Sequence, residues 1–435
     1  MINLPETGQK RIVIIGAGFA GITLARRLMK LDVQLVLIDK NNYHQFQPLF
    51  YQVAMSGLEP SSIIFPLRKM FQGKSNVFIR VTEVERVDGE KKCLHTPYGH
   101  VNYDYLVIGI GADTNFYGNE NIQKHTIPMK SVSEALFLRN TILEDYEKAL
   151  TVQDYNARQE LMDIVIVGGG ATGVEVAGAL AEMKKYILPK DYHEMNCKEI
   201  DIYIIQSGDT LLKGMSPESA AGAEAYLEDL GVVVRKNVRV KDFDGKVVSM
   251  DDGSIIRARK VIWAAGITGN KIGGLPEESI VWGNRIKVNQ LNQLESDPNI
   301  YAIGDIAYME TDIYKQGHPQ VAQVAIQQGK HLATNLKRIM KGEAPTPFIY
   351  KDLGSMATIG RNRAVVDLPN YKFKGFFAWT VWLLIHLFQI IGVKNKLFVF
   401  INWVWNYFTY DQSLRLIIRT STSREELESH RDKEF

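Results

Sequence analysis

The pattern of apolar and polar positions repeats itself early in the chain. The apolar run and glycine cluster IVIIGAGFAG at 12–21 returns as IVIVGGGATG at 164–173, at a constant offset of 152 residues. In each copy a short β-branched run feeds a glycine turn and then a stretch of helical period, ITLARRLMK at 22–30 and VEVAGALAEMKK at 174–185. This order predicts strand, turn and helix twice. The first copy continues into VQLVLIDK at 33–40, a second strand that ends in Asp39, 18 residues past Gly21. That spacing is the spacing of a βαβ dinucleotide-binding unit. The second copy reaches its next strand, IDIYIIQ at 200–206, only after an insertion-like stretch at 186–199. YDYLVIGIGADTNFYG at 103–118 reads as a strand returning to the first unit, VIWAAGI at 261–267 as its counterpart in the second, and NIYAIGDIA at 299–307 as a further buried strand.

These elements predict an α/β fold of two Rossmann-like dinucleotide-binding domains, the second inserted in the first, followed by a C-terminal amphipathic helical segment. The expected parts are 1–120 and 291–365 for the first domain, 121–290 for the second, 366–420 for the C-terminal helices and 421–435 for a polar, disordered tail. Composition narrows the partners. The 435 residues carry 51 Lys and Arg against 49 Asp and Glu, a net +2 without charge blocks, so nucleic acid is not an expected partner. The two cysteines, Cys93 and Cys197, lie in polar, loop-like surroundings 104 positions apart, which excludes a C-x-x-C redox pair. The N-terminal MINLPETGQK has no apolar stretch of signal-peptide type, and a cytoplasmic location is expected.

The glycine loops carry the first chemistry. Gly16 permits the tight turn, Gly18 lets the backbone approach a pyrophosphate, and Gly21 lets helix and strand pack closely; Gly168, Gly170 and Gly173 repeat the set. One such loop is weak evidence, because tight strand-to-helix turns use glycine for structure alone, but two in matching contexts predict two dinucleotides. Asp39 stands where a carboxylate accepts both hydroxyls of an unphosphorylated ribose, as in FAD. Its counterpart Gln206 is neutral with no Arg close behind it, which favours NADH while tolerating NADPH. Two adjacent dinucleotides on one chain imply hydride transfer from nicotinamide to flavin.

With this order of units, residues 11 to about 360 resemble the disulfide-reductase-like flavoproteins. Thiol-using members need reactive cysteine just after the first βαβ unit, and here NNYHQFQPLFYQVAMSGLEP at 41–60 has none. YHQFQPLFYQVA at 43–54, QVAQVAIQQG at 320–329, DLGSMATIG at 352–360 and the aromatic C-terminal segment together resemble the type II NADH:quinone dehydrogenases. That resemblance implies FAD contacts at Gly16, Ala17, Gly18, Phe19, Ala20, Gly21, Asp39, Lys40, Val84, Ala112, Asp305, Ala322, Gln323 and Lys394. It implies NADH contacts at Gly168, Gly170, Ala171, Thr172, Gly173, Glu175, Gln206 and Gly266, and a quinone at Gln323 and Gln327. The residues themselves allow plainer readings. Asp305 suits a helix N-cap, and Gln323 and Gln327, four apart on a helical stretch, suit a solvated amide face. Glu175, placed in the first turn after the second glycine loop, is explained by the helix dipole alone. The resemblance instead makes it a candidate for proton handling, with a carboxyl pKa raised by burial. His44 is given no catalytic role.

Residues 371–410 hold 14 aromatic residues, four of the six Trp among them. The uncharged run 376–393 is borderline for a spanning helix, and the run from Leu397 is interrupted by Asn402, Asn406 and Thr409 at helical spacing. Two short helices lying in one leaflet fit this better than a hairpin across the bilayer. The alternative is an aromatic face packed on the protein's own domains or on a second subunit. The whole chain therefore reads as a non-pumping, monotopic NADH:quinone oxidoreductase, expected as a homodimer on the cytoplasmic face of the cell inner membrane. A sulfide:quinone oxidoreductase and a slow-turnover NADH/flavin redox sensor are the competing readings.

Overall fold

The computed structural model describes residues 2–410 and 414–417; the expected polar tail at 421–435 lies outside the described residues. The chain opens with β1 (Arg11–Ile15), α1 (Phe19–Leu28), β2 (Gln34–Asp39), β3 (Val77–Val81) and β4 (Tyr105–Ile108). It then forms β5 (Ile127–Pro128), α2 (Val132–Ala149), β6 (Ile164–Val167), α3 (Ala171–Glu182), β7 (Ile202–Gln206), β8 (Val233–Lys236) and β9 (Lys260–Trp263). Next come β10 (Ile300–Ala302), α4 (Ala322–Met340), β11 (Ser355–Thr358), β12 (Ala364–Asp367) and β13 (Lys372–Lys374). Two helices close the described chain, α5 (Phe376–Gln389) and α6 (Val393–Thr409).

The strands sort into two parallel five-stranded sheets, β10-β4-β1-β2-β3 and β5-β9-β6-β7-β8. β10 therefore returns to the first sheet after the second is complete. The near-continuous apolar runs read from sequence are what a parallel sheet covered on both faces requires. β1 and β6 are the central strands, and all nine of their residues are buried. The insertion-like stretch proves to be both longer helix and loop: α3 runs on through a π-helical turn at Met183–Ile187 and a helical turn at Leu188–Asp191, and a 3-10 turn at Cys197–Glu199 precedes β7.

The last helices do not extend either sheet. The 376–393 run is broken at Ile390–Gly392, where Gly392 adopts φ 92° and a Cβ would fall 2.6 Å from the Phe65 ring. Among the described residues no helix is long and apolar enough to cross a membrane. Trp382, Ala378 and Val399 are buried in the body of the protein. The polar groups of α6 also turn inward: Asn395 donates to Ile64 O (2.9 Å), Asn406 to Gly57 O (3.2 Å) and Trp403 Nε1 to Gln52 Oε1 (2.7 Å). Apart from Val399 and Trp403, most of its apolar side chains face out, with Val393 84% and Phe408 77% exposed. This inverts the usual amphipathic arrangement of a surface helix.

Candidate active site

The two glycine loops are built alike to a tenth of an ångström or two. Gly16 N–H donates to Ile38 O (2.8 Å) and Gly168 N–H to Ile205 O (2.9 Å). Gly16 and Gly168 have φ of 97° and 114°, and a Cβ there would lie 2.2 and 2.3 Å from the backbone oxygens of Gly109 and Ala264. Only glycine fits. At Gly21 and Gly173 a Cβ would meet the carbonyl oxygens of Gly16 and Gly168 at 1.9 Å, so these positions set the close approach of helix to loop. Gly18 and Gly170 are different: each precedes the first residue of its helix with no side-chain cap, and a Cβ on either would find nothing within 4 Å. Their free space lies where helix N–H groups face an anion, which is the fit expected of a dinucleotide pyrophosphate.

The strand that follows each loop braces it. Asp39 Oδ2 accepts from Ala17 N–H (2.6 Å) and Oδ1 from Asn41 N–H (2.7 Å). Gln206 Oε1 accepts from Gly169 N–H (2.9 Å), the residue 152 positions beyond Ala17. Burial raises the Asp39 carboxyl above its ordinary range.

A cavity of about 800 Å³ runs between the loops. Gly16 to Ala20, Asp39 and Lys40 line it at one end, with Val84, Ala112, Asp305 and Ala322 further along. Ala171, Thr172, Glu175 and Gly266 line it from the second unit. Asp305 belongs to a 3-10 turn at Gly304–Ile306 and caps no helix; α4 begins after Val321. Burial raises the Asp305 carboxyl, and Gln320 donates to its backbone oxygen (2.9 Å).

Glu175 sits where α3 meets the cavity. It is the fifth residue of that helix, beyond the first turn, so the helix dipole does not account for it. Burial pushes its carboxyl up to about 8, opposed by the Thr358 N–H 3.5 Å from Oε1 and by the Trp382 indole. Tyr51 shares the cavity, its hydroxyl held by Gln52 Nε2 at 2.8 Å. From α5, the His386 ring stacks on Trp382 at 3.9 Å and lines the same cavity, and burial lowers it to about 4. Nothing in the sequence near the glycine loops signalled Trp382 or His386, because α5 reaches them across some 200 residues.

Other expected contacts fall elsewhere. Lys394 does not line this cavity: its Nζ lies 5.4 Å from the centre of the Phe398 ring on the outer bend. Gln323 and Gln327 do not share a free face. The Gln327 amide is used at both ends by the Lys351 backbone, at 2.9 and 3.1 Å, whereas Gln323 lines a second opening between α1 and α4. His44, expected on a loop, is buried on a short strand at Tyr43–Gln45, with Nδ1 2.8 Å from Ala17 O and its ring edge-on to Phe19. With Phe19 it forms part of that second opening. Both cysteines are buried rather than polar and loop-like, Cys93 on a strand at Cys93–Thr96 and Cys197 on its 3-10 turn, and neither lines the cavity.

Residues 10–329 match the pyridine nucleotide-disulphide oxidoreductase family, and residues 353–410 match the NDH2 C-terminal domain. A type II NADH:quinone oxidoreductase of Mycobacterium tuberculosis is 34% identical over 408 residues, 90% of this chain and 87% of that protein. The chain belongs to the type II NADH:quinone oxidoreductases. A Staphylococcus aureus member is 28% identical, covering 88% of this chain and 97% of its own. In fold the chain is similar to NDH2 from Plasmodium falciparum, solved in complex with NADH, with a TM-score of 0.86, 22% identity, and coverage of 94% and 100% of the two chains. The sulfide:quinone oxidoreductase of Aquifex aeolicus shares the fold less closely, with a TM-score of 0.72, 20% identity and coverage of 92% and 96%. The family reaction is electron transfer from NADH through flavin to a quinone, and neither competing reading has better support.

Proposed function

We propose that this chain reduces a membrane quinone with NADH, using the cavity between its glycine loops for both dinucleotides. The observation that carries the reading is one cavity lined by the first glycine loop and by the start of α3, Ala171 and Thr172, with Glu175 behind them; Gly168, Gly170, Gly173 and Gln206 stand outside its lining. FAD held in this cavity would supply the redox chemistry, hydride acceptance from the nicotinamide and delivery of two electrons to the quinone. The residues do the rest. Gly18 and the N–H groups of α1 hold one pyrophosphate, with Asp39, Lys40, Val84, Ala112, Asp305 and Ala322 along the remainder of FAD. Gly170, Ala171, Thr172 and Gly266 receive NADH. Gln206 is occupied with its own loop and presents no carboxylate to repel a 2′-phosphate, so NADPH is a slower donor rather than an excluded one.

Glu175, protonated at neutral pH, is the proton reservoir of the site. The quinone ring enters through the opening between α1 and α4, where the Gln323 amide is available to a ring carbonyl. The outward apolar faces of α5 and α6 rest on the cytoplasmic surface of the membrane, and a homodimer completes the expected assembly. Anaerobic addition of NADH should bleach the bound flavin, NADPH should do so more slowly, and quinone should restore the colour. Flavin that NADH leaves oxidised would sink the reading, as would sulfide serving as donor. Sedimentation velocity in detergent tests the dimer.

A further inference from the structure

The opening between α1 and α4 carries chemistry that electron transfer does not use. It encloses about 930 Å³, with Ile22 of α1, Met29 just past that helix, Ile326 and Ala333 of α4 and Ile391 of the α5–α6 bend along its floor. Its outer rim is cationic: Arg26 and Arg27 come from α1, Lys30 from the turn just past it, and Lys330 and Lys337 from α4. All five are exposed, and among the described residues no Asp or Glu lines the opening. Asp32, just past α1, is engaged by Gln9 instead. Cations that close a helix are favoured by its dipole whatever they bind, which covers Arg26, Arg27 and Lys337. Lys330 lies mid-helix and has no such reason to be there. Five like charges converging on an apolar floor repel one another, and an anion relieves that repulsion.

Continuity with the apolar surface identifies the occupant. The lining of the groove continues to Gln389, the last residue of α5, and to Ile391 in the bend between α5 and α6. Phe388 and Val393, beside that bend, are 71% and 84% exposed. A soluble anion would use the rim alone, whereas an anionic molecule with an apolar tail matches both the rim and the floor. We propose that this groove binds an anionic phospholipid of the membrane, its phosphate among Lys30, Lys330 and Lys337 and its acyl chain along Ile22, Ile326 and Ile391. The proposal rests on the membrane docking described above and goes beyond it, because the selectivity resides in α1 and α4 rather than in the C-terminal helices. The lipid occupies the outer end of the groove and leaves Gln323 at the inner end to the quinone.

Co-flotation of the full-length, flavin-loaded protein tests this with vesicles of phosphatidylcholine alone and vesicles one-third phosphatidylglycerol, at low salt. The unmodified protein should prefer the anionic vesicles. Lys30→Gln with Lys337→Gln should weaken that binding about five-fold for each cation removed, while binding to neutral vesicles and flavin content stay unchanged. Lys30→Arg with Lys337→Arg should keep the preference, as should Lys241→Gln with Lys246→Gln on the second dinucleotide unit. Equal anionic preference in the groove variant and the unmodified protein overturns the groove site and leaves membrane docking standing. An equal loss in the Lys241 and Lys246 variant reduces it to overall charge. Displacement by inorganic phosphate beyond that by chloride at matched ionic strength makes it a site for free phosphate. Failure to bind either vesicle removes the membrane reading itself.

Discussion

A carboxyl and an imidazole, Glu175 and His386, line one cavity and are both neutral at pH 7, because burial raises the first to about 8 and lowers the second to about 4. For Glu175 the sign follows from linkage. The unfolded chain releases this proton near the ordinary value of 4.5 and the folded chain only near 8, so stability falls as pH rises between them. Glu175→Gln should remove that fall, and its melting temperature should gain on the parent from pH 5 to pH 8 and no further. The same variant should lower kcat for quinone reduction about 10²-fold, a loss typical of a missing proton-transfer group. Steady-state kinetics across pH checks this, and an unchanged profile would end the proton role. The glycines offer a sharper contrast. Gly170→Ala should fold, keep its flavin and raise the KM for NADH about ten-fold, the cost of one lost close contact. Gly173→Ala, whose Cβ would sit 1.9 Å from Gly168 O, should fail to accumulate as folded protein.

At the scale of elements, the glycine loops were legible because a βαβ unit is specified locally, by residues at fixed short offsets. Even the departure at Gln206 follows that logic, since an amide oxygen braces the Gly169 N–H as the Asp39 carboxylate braces Ala17. Helical spacing alone could not place Gln327, because its partner, Lys351, comes from a loop beyond the end of α4. Long-range pairs of this kind are invisible to periodicity. Another joins α2 to β9: Lys260 is fully buried, pulled down to about 8 by burial, and pairs with Asp145 at 3.4 Å while donating to Leu161 O. Asp145→Ala should cost roughly 3–5 kcal/mol, because it strands a buried charge. The loss should shrink toward pH 9.5, where Lys260 sheds its proton in the folded state. Denaturant unfolding at the two pH values measures the difference.

For the molecule as a whole, the C-terminal segment changed meaning most. Its aromatic composition pointed to a surface, and part of it forms core instead: Trp382 is 1% exposed and packs with Tyr51 and Trp403. Trp382→Ala should cost about 3–5 kcal/mol, as large-to-small changes in a packed interior do, and thermal unfolding will show it. Deleting the chain after residue 374 would therefore damage the body of the enzyme along with any anchor. Exposed substitutions such as Phe388→Ser with Phe408→Ser are the cleaner probe, and should release the protein from membranes while leaving its melting temperature within about 1 °C, since surface changes away from the core cost little.

One helix, α5, has a foot in two environments. His386 lines the cavity shared by the two dinucleotide units, with Trp382 stacked on its ring, while Phe377 and Phe388 on the same helix project outward, 67% and 71% exposed. A rigid rod of 14 residues cannot tilt at its outer face without tilting at its inner one. On the proposed assignment of that cavity and that outer face, whatever presses on the exterior of this helix would also set the shape of the chamber where the electrons change hands, so attachment and turnover would share a single mechanical part.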